Sequence, residues 1–196
     1  YYTIKRIGLP CGTITQIGGE SSTGKTTAAI QMAWNIVEPF GPEAFVLHFD
    51  EEKATDYDRV AAVTGVPIGE VADKYRIIKP PNTFNSILAH LLQVCEAKEA
   101  DKEKSMYDTG VLDMYGREIR YYVPTVVIID STMAITSENE DLTEISGLTS
   151  AGRETIYRNK FLRNMMKFIG KYDINVIFIN HTANDMDLGK PGGGSK

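Results

Sequence analysis

The chain has 196 residues, with 21 basic side chains against 26 acidic ones, a formal charge of −5. Hydrophobic residues make up 42% and charged residues 24%, proportions that exclude a disordered chain, a collagen and a strongly basic nucleic-acid coat. Cys11 and Cys95 lie far apart without a CxxC spacing, so neither a disulfide framework nor a zinc site follows and a reducing cytosol is expected. Residues 13–17 alternate β-branched side chains and run into Gly18-Gly19, which predicts a strand ending in a tight turn. Ala28, Ile30, Met32, Trp34 and Ile36 predict a largely buried helix over 25–37, closed by Pro39, Gly41 and Pro42. Residues 44–49 read as an interior parallel strand, 55–64 as a helix stopping at Gly65, and 75–78 as a short strand cut by Pro80-Pro81. Ile87, Leu88, Leu91 and Leu92 predict an amphipathic helix over 84–95, which the mixed charges of 96–104 extend as a solvated end.

The stretch 100–124 reads as an insertion, with a small hairpin over 106–122. Residues 125–129 are the most hydrophobic β-branched run in the chain and end in Asp130. A polar stretch, 137–150, follows. A helix is predicted over 156–169 and a last strand over 174–179, before a tail rich in Gly and Asp. No apolar run approaches the ~20 residues that span a bilayer, and no signal-peptide pattern is present. The chain starts at Tyr1 rather than Met and closes on Gly-Gly-Gly-Ser-Lys, so a single domain cut at both ends is expected. Strands alternate with helices throughout. That order predicts an α/β fold, a mostly parallel sheet with helices on both faces and ligands at the carboxyl ends of the strands.

Residues 19–26, Gly19-Glu20-Ser21-Ser22-Thr23-Gly24-Lys25-Thr26, fit GxxxxGK[ST] between a strand and a helix. Glycines let such a backbone curl until successive N–H groups converge on phosphate oxygens, and the helix aims its positive end at the same anion. In this pattern Lys25 reaches the β- and γ-phosphates of ATP, the Thr26 hydroxyl binds Mg²⁺, and Thr27 bonds the α-phosphate. Asp130, delivered by a buried strand, is the expected second magnesium holder. A further strand ends in Asp50-Glu51-Glu52, and hydrolysis of a phosphoanhydride needs a carboxylate that orients or deprotonates water. Glu51 and Glu52 both qualify by position.

The string from Gly19 to Thr27, together with Val127-Ile128-Ile129-Asp130-Ser131 and Ile177-Phe178-Ile179-Asn180-His181-Thr182, resembles the RecA recombinases over nearly the whole chain. The Asn-His-Thr ending followed by Gly192-Gly193-Gly194 looks most like the phage UvsX-type branch. The resemblance implies a RecA-like P-loop NTPase core. It makes Glu52 the glutamate that activates water and His181 the sensor of the γ-phosphate. Asp56 and Arg59 match the region that contacts adenine, Arg59 replacing the usual Tyr; a guanidinium stacks on a purine face. By the same resemblance 137–150 and 184–196 are the two DNA-binding loops, with Arg153 and Arg163 near the first, Lys190 and Lys196 in the second.

The function these readings imply is a DNA-dependent ATPase of recombination and repair, in the cytoplasm of a bacterial or phage-infected cell. It binds single-stranded DNA as a self-assembled helical filament, takes double-stranded DNA as a further partner, and promotes homologous pairing and strand exchange. A helicase or clock-type ATPase of the same fold is the first alternative, and a low-turnover, nucleotide-dependent DNA-binding mediator is the second.

Overall fold

A computed structural model of the protein describes residues 11–131, 135 and 150–181. The 137–150 stretch, apart from Ser150 at the start of a helix, and all of 184–196 lie outside them. Five strands form one parallel sheet: β1 (Ile14–Gly19), β2 (Phe45–Asp50), β3 (Tyr75–Ile78), β6 (Thr125–Asp130) and β7 (Ile174–His181). Their order is β1-β7-β6-β2-β3, so the most apolar strands lie inside. All six residues of β6 are buried, because helices cover both its faces.

Side-chain alternation sorts the strands' residues between two cores. Val127 and Ile129 of β6, with Leu47, Phe49, Val176 and Phe178, face one side of the sheet. There they meet Phe84, Ile87 and Leu91 of α4 (Phe84–Ala100) and Phe161, Met165 and Ile169 of α6 (Ser150–Ile169). Val126 and Ile128 face the other side, against Ala29, Ile30, Ala33 and Trp34 of α1 (Lys25–Val37). Val60 of α2 (Tyr57–Thr64) and Val71 of α3 (Ile68–Lys74) complete that layer. Each fully buried Val, Leu, Ile, Phe or Met among them contributes roughly 1.5–3 kcal/mol. A short α5 (Lys102–Ser105) leads into an antiparallel hairpin of its own, β4 (Met106–Leu112) with β5 (Glu118–Tyr122). Among the described residues no helix is long and apolar enough to cross a membrane.

Three local expectations are corrected. The helix α3 has no counterpart in the sequence reading: it is short, starts after Pro67 and buries Val71 alone, too little to mark a helical period. The last helix begins at Ser150 rather than 156. The charged run after 95 is not uniformly solvated, for Lys98 is 5% exposed. Its ammonium donates to the Val123 carbonyl at 2.6 Å and to the Tyr172 carbonyl at 2.8 Å. Those carbonyls lie where β5 and α6 feed into β6 and β7, so the lysine ties α4 to the foot of the sheet.

Candidate functional site

Parallel register brings distant parts of the sequence to one edge. Gly19 pairs with His181, Asp130 with Ile179, and Asp50 with Asp130. The carboxyl ends of β1, β7, β6 and β2 therefore lie side by side, and the loop after β1, the turn after β2 and His181 of β7 share one cleft. Between β1 and α1 the backbone curls, with Ser22 at φ 62° and Gly24 at φ 85°. Glycine occupies that left-handed conformation without a Cβ penalty. The Thr23 hydroxyl donates to the Glu20 carbonyl at 2.9 Å and pins the curl. A Cβ on Gly19 would stand 3.3 Å from that hydroxyl oxygen and 3.7 Å from Cδ of Lys25. α1 opens at Lys25 with no side-chain cap and no acidic residue in its first turn, leaving N–H groups and positive potential for an anion.

Lys25 is 7% exposed. Its Nζ donates to the Glu20 carbonyl at 2.6 Å and lies 3.4 Å from Nδ1 of His181. An ammonium only donates, so Nδ1 accepts and the imidazole proton sits on Nε2. That nitrogen lies 2.5 Å from Oε1 of Glu52. Lysine, histidine and glutamate thus form one chain of hydrogen bonds across the cleft. Beside it, the Thr26 hydroxyl donates to Oδ2 of Asp130 at 2.6 Å. Asp130 is 1% exposed and its Oδ1 has no hydrogen-bond partner among the described residues. Burial raises the Asp130 pKa, the Thr26 hydroxyl pulls it down, and the charges of Glu52 and Asp50 add to the rise.

An orphaned buried carboxylate oxygen next to a hydroxyl suits a small hard cation that takes its remaining oxygens from phosphate and water. Among the described residues no cluster of three His, Cys, Asp or Glu side chains forms a metal cage.

The cleft has a volume of about 180 Å³ and is lined by residues 21–26 with Glu52, Ala54, Arg59 and His181. Not every expected residue reaches it. Glu20 contributes its carbonyl behind the wall, and Thr27 is exposed and off the wall. Asp56 caps α2 by accepting the Arg59 N–H at 2.8 Å and is likewise off the wall. The Arg59 guanidinium lies on the wall and donates to the Ala54 carbonyl at 2.8 Å. Of the two adjacent glutamates, Glu51 is engaged by the amide of Asn82 and Glu52 lines the cleft. Arg163 is exposed on α6, whereas the side chain of Arg153, and Lys190 and Lys196 altogether, lie outside the described residues.

Sequence reasoning missed Asp50 and Lys79 as parts of the site's frame. Asp50 is wholly buried and pairs with Lys79 at 2.7 Å. Burial alone would raise its pKa, but Lys79 and the amides of Thr55 and Ala54 bring it below the ordinary value. The signal was a lysine at the carboxyl end of a strand that pairs with β2, legible only once that pairing is known.

No family model matches the chain. Over 173 residues it is 30% identical to Protein RecA of Crocosphaera subtropica, a match covering 88% of this chain and 40% of that protein. It is 29% identical over 188 residues to Protein RecA of Oleidesulfovibrio alaskensis, covering 96% and 43% respectively. Protein RecA of Treponema denticola is 29% identical over 173 residues, covering 88% and 34%. The chain spans about two fifths of the length of the first two. These similarities support a RecA family relation and, with the parallel sheet, a RecA-like core fold.

Proposed function

We propose that residues 1–196 are the ATPase core of a RecA-type recombination protein, of the phage UvsX-type branch, acting in the cytoplasm of a bacterial or phage-infected cell. The observation that supports this most strongly is the meeting of Lys25, the Thr26–Asp130 pair and the His181–Glu52 pair at one cleft. The curled loop and the start of α1 bind the phosphates of ATP, and the Lys25 ammonium is redirected to them from the Glu20 carbonyl and His181. Thr26 and Asp130 hold Mg²⁺, which when bound neutralises charge developing on the phosphates. Glu52 orients the attacking water. Arg59 packs against the base.

His181 stands between Lys25 and Glu52 and at the end of β7. Whatever draws Lys25 away from Nδ1 also alters the bond to Glu52, and it does so where the chain enters the proposed second DNA-binding loop. Nucleotide state is thereby coupled to affinity for single-stranded and double-stranded DNA, and to assembly into a helical filament. Binding of this kind is tolerant of sequence and weakened by salt.

The test is ATP turnover by the intact protein with and without single-stranded DNA. Stimulation is expected, and Glu52→Gln lowers phosphate release by about 100-fold or more while ATP binding persists. Turnover indifferent to DNA would favour a nucleotide-dependent mediator. Electron microscopy on single-stranded DNA separates a filament from the closed ring of a helicase.

A further inference from the structure

We propose that Lys79 and Asn82, at the exit of β3, are positioning residues for Glu52. They fix the 50–55 turn so that the Glu52 carboxylate meets His181. The proposal rests on the reading of Glu52 as the water-orienting carboxylate and identifies what holds it in place.

β3 pairs in parallel with β2, Ile78 opposite Phe49, so the next residue of each strand, Lys79 and Asp50, emerge together. The Lys79 ammonium lies 2.7 Å from Oδ2 of Asp50 and also donates to the Thr55 carbonyl. The Asp50 carboxylate in turn accepts the amides of Ala54 at 3.2 Å and Thr55 at 3.0 Å. Carboxylate, ammonium and the far end of the turn make a closed ring. Asn82, 3% exposed, donates its side-chain amide to Glu51. The Glu51 backbone N–H donates to the Asp130 carbonyl at 2.6 Å. The turn is therefore held from the β3 exit on one side and from β6 on the other.

Among the described residues Glu52 has no such anchor of its own. Its side chain is 36% exposed and reaches His181 by a 2.5 Å contact, so its place is set by the backbone beneath it. The next residue, Lys53, stands at φ 56°, a conformation that a residue with a side chain seldom adopts unless its surroundings impose it. The clamp imposes it. The same turn presents the Ala54 carbonyl that holds Arg59, so one pair of β3-exit residues sets both the carboxylate and the guanidinium of the cleft. Taking away the Lys79 ammonium leaves the buried Asp50 carboxylate without its countercharge, and the turn relaxes to find another.

The experiment uses the chain with ¹⁵N-labelled histidine, without nucleotide, and reads the His181 Nε2–H resonance, with circular dichroism to verify folding. Wild type is expected to show a downfield proton bonded to carboxylate. Lys79→Met loses it, Lys79→Gln retains it because a primary amide still donates to Asp50 and Thr55, and the surface control Lys171→Met leaves it unchanged. ATP turnover adds a second readout. In Lys79→Met kcat falls by about tenfold or more while KM stays within about twofold, and in a Glu52→Gln background Lys79→Met has no further effect.

An unchanged His181 resonance together with an unchanged kcat in folded Lys79→Met overturns the proposal. Should Lys79→Met fail to fold, Asn82→Ala carries the same test, with loss of the resonance expected and its retention overturning. If the resonance responds but the wild-type protein hydrolyses no ATP, the positioning role stands and the catalytic reading of Glu52 is what fails.

Discussion

Asp130 and Asp50 are neighbours in register, both almost fully buried, and they solve the burial of a carboxylate in opposite ways. Asp50 is satisfied by an ammonium and two amides. Asp130 has one hydroxyl and an oxygen without a partner among the described residues, an arrangement costly for the protein alone and, on the proposed reading, useful once a cation arrives. Its raised pKa gives the sign: the ionised form is penalised in the fold, so this group costs stability at neutral pH and the cost is relieved as pH falls through the folded value. Asp130→Asn is therefore expected to stabilise the nucleotide-free chain by about 1 kcal/mol and to abolish magnesium-dependent ATP binding. Urea unfolding and a nucleotide titration check the two halves, and a destabilised variant that still binds ATP with magnesium would refute the account. Asp130 was legible in the sequence because it ends the most apolar run of the chain. Asp50 was given no role beside Glu51 and Glu52, since the lysine that distinguishes it comes from another strand.

The same division appears among the elements. β6 was readable from local pattern because continuous burial leaves a continuous apolar signature, and α1 from the apolar residues of its buried face, although Ala28 among those expected is exposed. The end of α4 was not: its charges look solvated until β5 and α6 bring two carbonyls to Lys98. Burial lowers the Lys98 pKa from 10.5 to about 8, with Asp173 opposing. Between those values the unfolded chain binds a proton there that the fold does not, so this group makes stability rise as pH increases from about 8 to 10.5. Cys95, raised by burial to about 11, works the other way above its ordinary value of 9.0, so the lysine's share needs a variant to isolate it. Lys98→Met removes the titration but leaves the Val123 and Tyr172 carbonyls unpaired. Wild type should gain stability relative to Lys98→Met between pH 7 and 10, by on the order of 1–3 kcal/mol. Parallel stability curves for the two proteins would show that Lys98 stays charged in the fold throughout.

At the scale of the molecule, the sheet joins two cores that have no side chain in common, and the cleft lies across the carboxyl ends of four of its strands. The cleft wall is made by the loop after β1, the start of α1, the turn after β2, Arg59 of α2 and the end of β7, with Asp130 of β6 reached through Thr26. The binding energy of a ligand seated there is therefore drawn from segments far apart in the sequence that the sheet brings together, and it adds to the stability of the fold they share rather than to one element. On the proposed reading, ATP with magnesium at about 100 times its dissociation constant stabilises the chain by about 2.7 kcal/mol, or about 5–10 °C in melting temperature. Chelating the magnesium should remove much of that shift, because Asp130 then faces the phosphates as an uncompensated negative charge. Lys25→Ala should remove nearly all of it, since the substitution deletes the one ammonium on the cleft wall among the described residues. Differential scanning calorimetry distinguishes these cases. A shift that persists in Lys25→Ala would place the nucleotide elsewhere on the molecule, and the convergence of the four strand ends would then need another explanation.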